Sequence, residues 1–272
     1  QIPHPTFGVN KHKNISTGIL ANKHKDLMKR ATFSFIATVL TIVFALSLTS
    51  CGENGICITP TGEVMEQTLE LDAISAFQIN GIASVFVDKG TEQKVIVKAR
   101  QAMLDRIDFS VSSGTLITDL DGCFTNGELE VFVTVVEPIT EVSVSGSGDW
   151  ENTTNLDFVD AVALSVSGSG NMVVQNIETK KLDANVVGSG DMTITGMTEE
   201  FIASVSGSGD IEAYNLTSST IDAKVSGSGT LKVNADQADF TASVSGSGDI
   251  FYKGTPASIE TAVTGSGDVK KR

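Results

Sequence analysis

The chain has 272 residues and a formal net charge of −14. The acid is concentrated downstream, since from Cys51 onward 13 Lys and Arg face 32 Asp and Glu, a net charge of −19. Such a surface repels nucleic acid and anionic headgroups, which excludes both as ligands; it leaves cations and polycations open, beside the plainer role of a solvated acidic coat. With 26 glycines and 6% aromatic residues, the composition fits a solenoid of small side chains better than a globular core.

Residues 1–27 read as an unstructured upstream extension. They hold all three histidines (His4, His12 and His24) and show no periodic pattern. Met28 is the first methionine, and residues 28–50 read as a secretion signal: Lys29-Arg30, an apolar run over 31–48, then Leu48-Thr49-Ser50-Cys51. That order resembles the bacterial lipoprotein signal. The resemblance implies cleavage before Cys51 and acylation of its sulfur and amine, which would attach the protein to a membrane by lipid. The alternative is an uncleaved signal anchor, because the run is close to spanning length.

Residues 51–68 are mostly polar, with turn residues at Asn54-Gly55 and Pro60-Thr61-Gly62, and read as a tether. With Cys51 acylated, Cys57 and Cys123 are the two remaining thiols. In an oxidising envelope they either pair or stay as two partly buried thiols, and sequence does not supply the Cα distance that decides.

The domain is expected over 69–272. Strand-like runs fall at 76–80, 83–87, 94–99, 107–111, 115–118 and 128–136, separated by Gly81, Lys89-Gly90, Ser113-Gly114 and Asn126-Gly127. One short helical segment fits 101–106. These runs read as irregular first coils, or as a cap over an open sheet edge. At the far end Lys270-Lys271-Arg272 puts charge on the last edge.

From Gly146 a repeat takes over. Gly-Ser-Gly occurs at Gly146/Gly148, Gly168/Gly170, Gly188/Gly190, Gly207/Gly209, Gly227/Gly229, Gly246/Gly248 and Gly265/Gly267, at spacings of 19 to 22 residues. A near-constant period of this size marks a solenoid whose coils bury their apolar faces against one another. Before each triplet the apolar positions alternate, as in Phe201, Ala203, Val205, and they do so again after it, as in Ile211, Ala213. Period two means strands with one buried face. Both glycines of a triplet are expected to serve one sharp corner, allowing positive φ where a Cβ would crowd the coil above. The expected coil is strand, glycine corner, strand, polar return, about 20 residues long. Stacked in parallel, the coils form an all-β, right-handed parallel β-helix.

The layout resembles the head GIN domain family, the adhesin heads of bacterial envelopes. The residues that carry the likeness are Phe77-x-Ile79-x-Gly81, Val85-Phe86-Val87 with Gly90, Val95-x-Val97, the Ser113-Gly114 turn, the repeated Val-Ser-Gly-Ser-Gly and Tyr252-x-Gly254-x-Pro256. It spans about residues 70–272. It implies an exported β-helical domain with a binding or adhesive role and brings no catalytic residues.

Chemistry is constrained by what is missing. No histidine follows Cys51, which removes the usual Ser-His-Asp and Cys-His arrangements and His-ligated metals. The acids after each corner (Asp149, Asp191, Asp210, Asp249 and Asp268, with Asn171 and Thr230 in the same column) have two readings. One is Asx bonding to their own turn; the other is a divalent-cation ladder over Asp191, Asp210, Asp249 and Asp268. Among rings, Trp150 and Tyr252 fall in the inward phase, while Tyr214 falls outward and is expected exposed. No cofactor is expected. The reading is a lipid-anchored, non-enzymatic binding module of the cell envelope, at the outer membrane, with a glycan or protein ligand on its stacked polar face. The alternatives are a carbohydrate-active β-helix enzyme with paired carboxylates, and a periplasmic scaffold.

Overall fold

The structure is a computed structural model that describes residues 57–125 and 127–272. The extension 1–27, the signal 28–50 and Cys51 lie outside the described residues. Residues Cys57–Arg272 form one folded unit. It begins twelve residues before the boundary expected from sequence, because most of the presumed tether is built into it: Ile58 bridges Phe124, and β1 (Val64–Leu69) is a strand. Cys57 and Cys123 are joined by a disulfide with their Cα atoms 4.6 Å apart.

The repeat region is a β-solenoid. β10 (Phe158–Gly168), β11 (Asn171–Gly188), β12 (Met192–Gly207) and β13 (Asp210–Gly227) pair in parallel, each with the next. β15 (Asp239–Gly246) and β17 (Ser258–Gly265) continue the ladder before the corner. β14 (Thr230–Asn234), β16 (Asp249–Lys253) and β18 (Val269–Lys271) continue the ladder after it. Corner pairs with corner throughout, Gly168 with Gly188, Gly188 with Gly207 and Gly207 with Gly227. The alternating apolar residues all point inward: Leu182, Ala184 and Val186 are fully buried, as are Met192 and Ile194. Each of the larger side chains contributes roughly 1.5–3 kcal/mol of hydrophobic stabilisation.

A Cβ on either glycine of a triplet would press on a carbonyl oxygen one coil earlier, but only the first glycine also takes a positive φ. The first holds a φ near +120° to +131°, which a side chain would oppose. The second does not: Gly148, Gly170, Gly190, Gly209, Gly229, Gly248 and Gly267 are absent from the positive-φ positions. All seven are buried, and close approach is what requires them to be glycine. A Cβ on any of them would press on the carbonyl oxygen one coil earlier, that of Ala83 under Gly148 and of the preceding second glycine under each of the others. The crowding therefore comes from the coil beneath, not from the coil above as expected.

The front of the domain is less regular, and its chain order differs from its spatial order. β2 (Ala76–Gly81) and β3 (Ser84–Lys89) form the first coil, directly beneath β8 (Ile139–Gly146) and β9 (Asp149–Asn152). Gly81-Ile82-Ala83 is therefore an eighth corner, with alanine in place of the second glycine. Beneath that coil lie β6 (Thr115–Leu120) and β7 (Leu129–Val135), although they come later in the chain. The remaining strands run antiparallel along the edges: β5 (Ile107–Ser112) on β6, β4 (Lys94–Arg100) on β7, and β1 on β4. A single turn of helix, α1 (Gln101–Leu104), buries Met103. The irregular segment is thus both first coils and cap. At the other end Ile259 and Val263, in core phase, are each 46% exposed because no further coil covers β17 among the described residues.

Candidate binding surface

Three surfaces of the solenoid carry side chains able to meet a ligand. The first is the outer face of the strands before the corners. Its outermost column runs Ser145, Ser167, Val187, Ser206, Ser226, Ser245 and Thr264, and the next Ser143, Ser165, Asn185, Ser204, Lys224, Ser243 and Ala262. Rungs repeat at ~4.8 Å and alternate residues along a strand at ~6.7 Å, so the hydroxyls form a regular array. Neighbouring rungs are linked, with Ser165 donating to Ser143 Oγ at 3.0 Å and Ser204 donating to Asn185 Oδ1.

The second surface lies after the corners, beginning with the aspartate column. These carboxylates do not cap their own turns, as Asx bonding would require. Four of the five instead accept a backbone N–H from the next coil: Asn171 N–H on Asp149 at 2.9 Å, Asp210 on Asp191 at 2.9 Å, Thr230 on Asp210 at 2.7 Å, and Asp268 on Asp249 at 2.8 Å, while Asp268 pairs with Lys270 at 2.6 Å. The residue that supplies the N–H need not be acidic, which is why Asn171 and Thr230 fit the column. Among the described residues no three His, Cys, Asp or Glu side chains gather at ligating distance.

The rings are distributed differently from expectation. Trp150 is buried as expected, edge-on to Phe77 at 5.9 Å. Tyr252 is half-buried against Phe240. Tyr214, expected outside, is half-buried with the Lys253 ammonium 5.7 Å above its ring. Burial raises its phenol above the usual range, with the Glu212 charge adding to the effect. Phe251, in outward phase, is covered by the Arg272 guanidinium at 3.9 Å. The solvent-facing aromatic pair is Phe86 and Phe132, stacked across β3 and β7 with centroids 5.3 Å apart. Weighing only Trp and Tyr overlooked it; the signal present was Phe132 in the outward phase of an alternating strand.

The third surface is a groove of about 710 Å³ on the return side, lined by residues 155–158, 160, 176, 178–180 and 197–199. Its origin is a gap in the ladder. β9 pairs β11 only as far as Glu151↔Val173, and β10 pairs β11 only from Ala161↔Lys181. In between the strands part, and side chains span the gap. Asn176 Nδ2 donates to Asn155 at 2.8 Å, Thr179 Oγ1 donates to the Val159 carbonyl at 2.7 Å, and Lys180 bonds Asp160 at 2.6 Å. The longest corner spacing, the 22 residues from Gly146 to Gly168, was the trace of this irregularity in the sequence. All four acids of the groove (Asp157, Asp160, Glu178 and Glu199) are exposed.

A β-solenoid with a hydroxyl array on one side, an interrupted return ladder on another and corner acids tied to backbone is the class of domain these features define. The chain belongs to the family described as "Putative auto-transporter adhesin, head GIN domain", which matches residues 74–256. Among solved structures it is similar to one described as a putative adhesin from Bacteroides fragilis, at 22% identity over 79% of this chain and 100% of that one, with a TM-score of 0.70. It is similar also to two from Parabacteroides distasonis. One is described as a putative adhesin (23% identity, 80% of this chain, 100% of that one, TM-score 0.64), the other as a putative lipid binding protein (20%, 80%, 100%, 0.63). At these identities the likeness is one of fold. A comparison with curated proteins finds no match.

Proposed function

We propose that this protein is a lipid-anchored, non-enzymatic binding module of the bacterial cell envelope, adhesin-like in action and held at the outer membrane through Cys51. The observation that carries the reading is the hydroxyl array before the corners. It is a rigid, repeating, solvent-facing surface that offers many equivalent weak contacts to a glycan or a protein. Family membership supports an adhesin-like role, and the Leu48-Thr49-Ser50-Cys51 order supports the anchor.

The test uses the full chain in its cells. Radiolabelled palmitate is expected to enter the wild type and not Cys51→Ala, and added protease is expected to remove the domain from intact cells. Protection until lysis would sink the adhesin reading and favour a periplasmic partner. Glycan and host-protein arrays then follow, with a Ser206→Glu/Ser226→Glu variant expected to lose the signal.

A further inference from the structure

We propose that the return-side groove is a second binding site, and that its ligand is a basic peptide segment in which a lysine or arginine adjoins an apolar residue. This goes beyond the adhesin-like reading, which places contact on the hydroxyl array and survives if the groove stays empty.

The groove has an apolar floor and an acidic rim. Leu156 is buried at its base and Phe158 is half-buried beside it. Met197 stands in the wall at 57% exposure, an apolar side chain turned outward next to the buried Thr198. A methionine adapts its shape to different apolar partners, which suits it to a contact surface. The volume falls in the range of small-ligand sites.

The charges select the sign of the ligand. Asp157 is paired with Lys89 at 2.7 Å and Asp160 with Lys180 at 2.6 Å. Glu178 and Glu199 have no ion-pair partner among the described residues. Glu178 lies across the ladder from Met197, and Glu199 follows Thr198 in the same strand. Two carboxylates flanking an exposed apolar side chain complement a cation carried next to an apolar group. A free anion would be repelled by those carboxylates.

The test titrates the full chain, methyl-labelled at methionine, with an acetylated, amidated tetrapeptide of alternating leucine and lysine. The Met197 resonance is assigned by its loss in Met197→Leu. A saturable shift of that resonance is expected, with a Kd below about 1 mM, weakening as salt is raised. In Glu178→Gln/Glu199→Gln the affinity should fall at least tenfold, while the buried Met172 and Met192 resonances stay in place and report an intact fold. Neutralising acids elsewhere, in Asp108→Asn/Glu260→Gln, should leave the affinity unchanged. The proposal is overturned by the absence of a saturable shift, by undiminished binding in the groove variant, or by equal binding of the peptide with glutamate in place of lysine. Spermidine binding as tightly as the peptide would also overturn it, since the apolar floor would then contribute nothing.

Discussion

Replacing Gly148 by alanine separates sequence logic from structural logic. The coil beneath already carries alanine at the equivalent position, Ala83, so the repeat by itself suggests tolerance. The geometry says otherwise. A Cβ on Gly148 would stand 2.5 Å from the Ala83 carbonyl oxygen, 3.1 Å from its nitrogen and 3.2 Å from Ile79 Cγ2. The backbone of one coil would have to retreat by about 0.9 Å to restore ordinary contact. That same carbonyl accepts the Asp149 N–H at 3.0 Å, and the retreat weakens the bond. Overpacking of about 1–3 kcal/mol and one hydrogen bond of about 1 kcal/mol give an expected loss of roughly 2–4 kcal/mol. Ala83 escapes this because no Gly-Ser-Gly corner lies under it: of the strands beneath, β6 ends at Leu120 and β7 begins at Leu129. Trp150, the only tryptophan, is buried two residues from the substitution and reports the local transition in urea. Ser147→Ala in the same triplet is exposed and should stay within about 0.5 kcal/mol. The reasoning fails if Gly148→Ala lies within about 1 kcal/mol of wild type, or if Ala83→Gly is equally damaging.

Three further outcomes are expected. Cys57→Ser/Cys123→Ser opens a link between residues 66 apart, and the chain-entropy account puts the loss near 4 kcal/mol; limited proteolysis should then cut within residues 57–63, and an unchanged digest would contradict the staple. Asp210→Ala removes the acceptor of the Thr230 N–H and should cost about 1 kcal/mol in urea melts, with Asp210→Asn restoring most of it; equal losses in both would point to charge instead of the bond. Hydrogen bonds to Glu130, Asp160, Glu212 and Asp268 raise Lys98, Lys180, Lys232 and Lys270 respectively, and burial raises Tyr214. Groups with a folded pKa above the unfolded one stabilise below about pH 10 and lose that effect as pH climbs through the folded value. Thermal midpoints should therefore fall only above about pH 10, and a decline beginning near neutrality would refute the assignment.

The repeat made most of the architecture readable. Seven glycine corners and period-two alternation on both sides allow no other burial than inward-facing Val, Ala, Leu and Ile, and those residues are in fact the buried ones. Residues 69–136 were legible as strands but not in their order. Nothing local distinguishes a strand that pairs in parallel above from one that folds back antiparallel beneath, as β4 and β5 do. The aspartate column was read correctly as a stack and wrongly as self-capping, because the choice between an N–H in the same turn and one in the next coil depends on the rise between coils. The second glycine of each triplet shows the same limit. Its presence was plain, but only the distance to the carbonyl one coil earlier separates a need for space from a need for positive φ. The groove was hidden for a related reason: it is a missing ladder, and a missing ladder leaves only a slightly long spacing.

What the sequence determined by itself was the repeating unit. Periodicity is a local property, and a glycine at a fixed interval marks a corner whatever surrounds it. Tertiary structure alone decided which coil sits on which, that Gly81-Ile82-Ala83 is a corner and that Ala83 is permitted there. It also decided where two strands part to leave the groove. Those outcomes depend on what lies one rung away in space, which for β2 and β8 is more than sixty residues away along the chain.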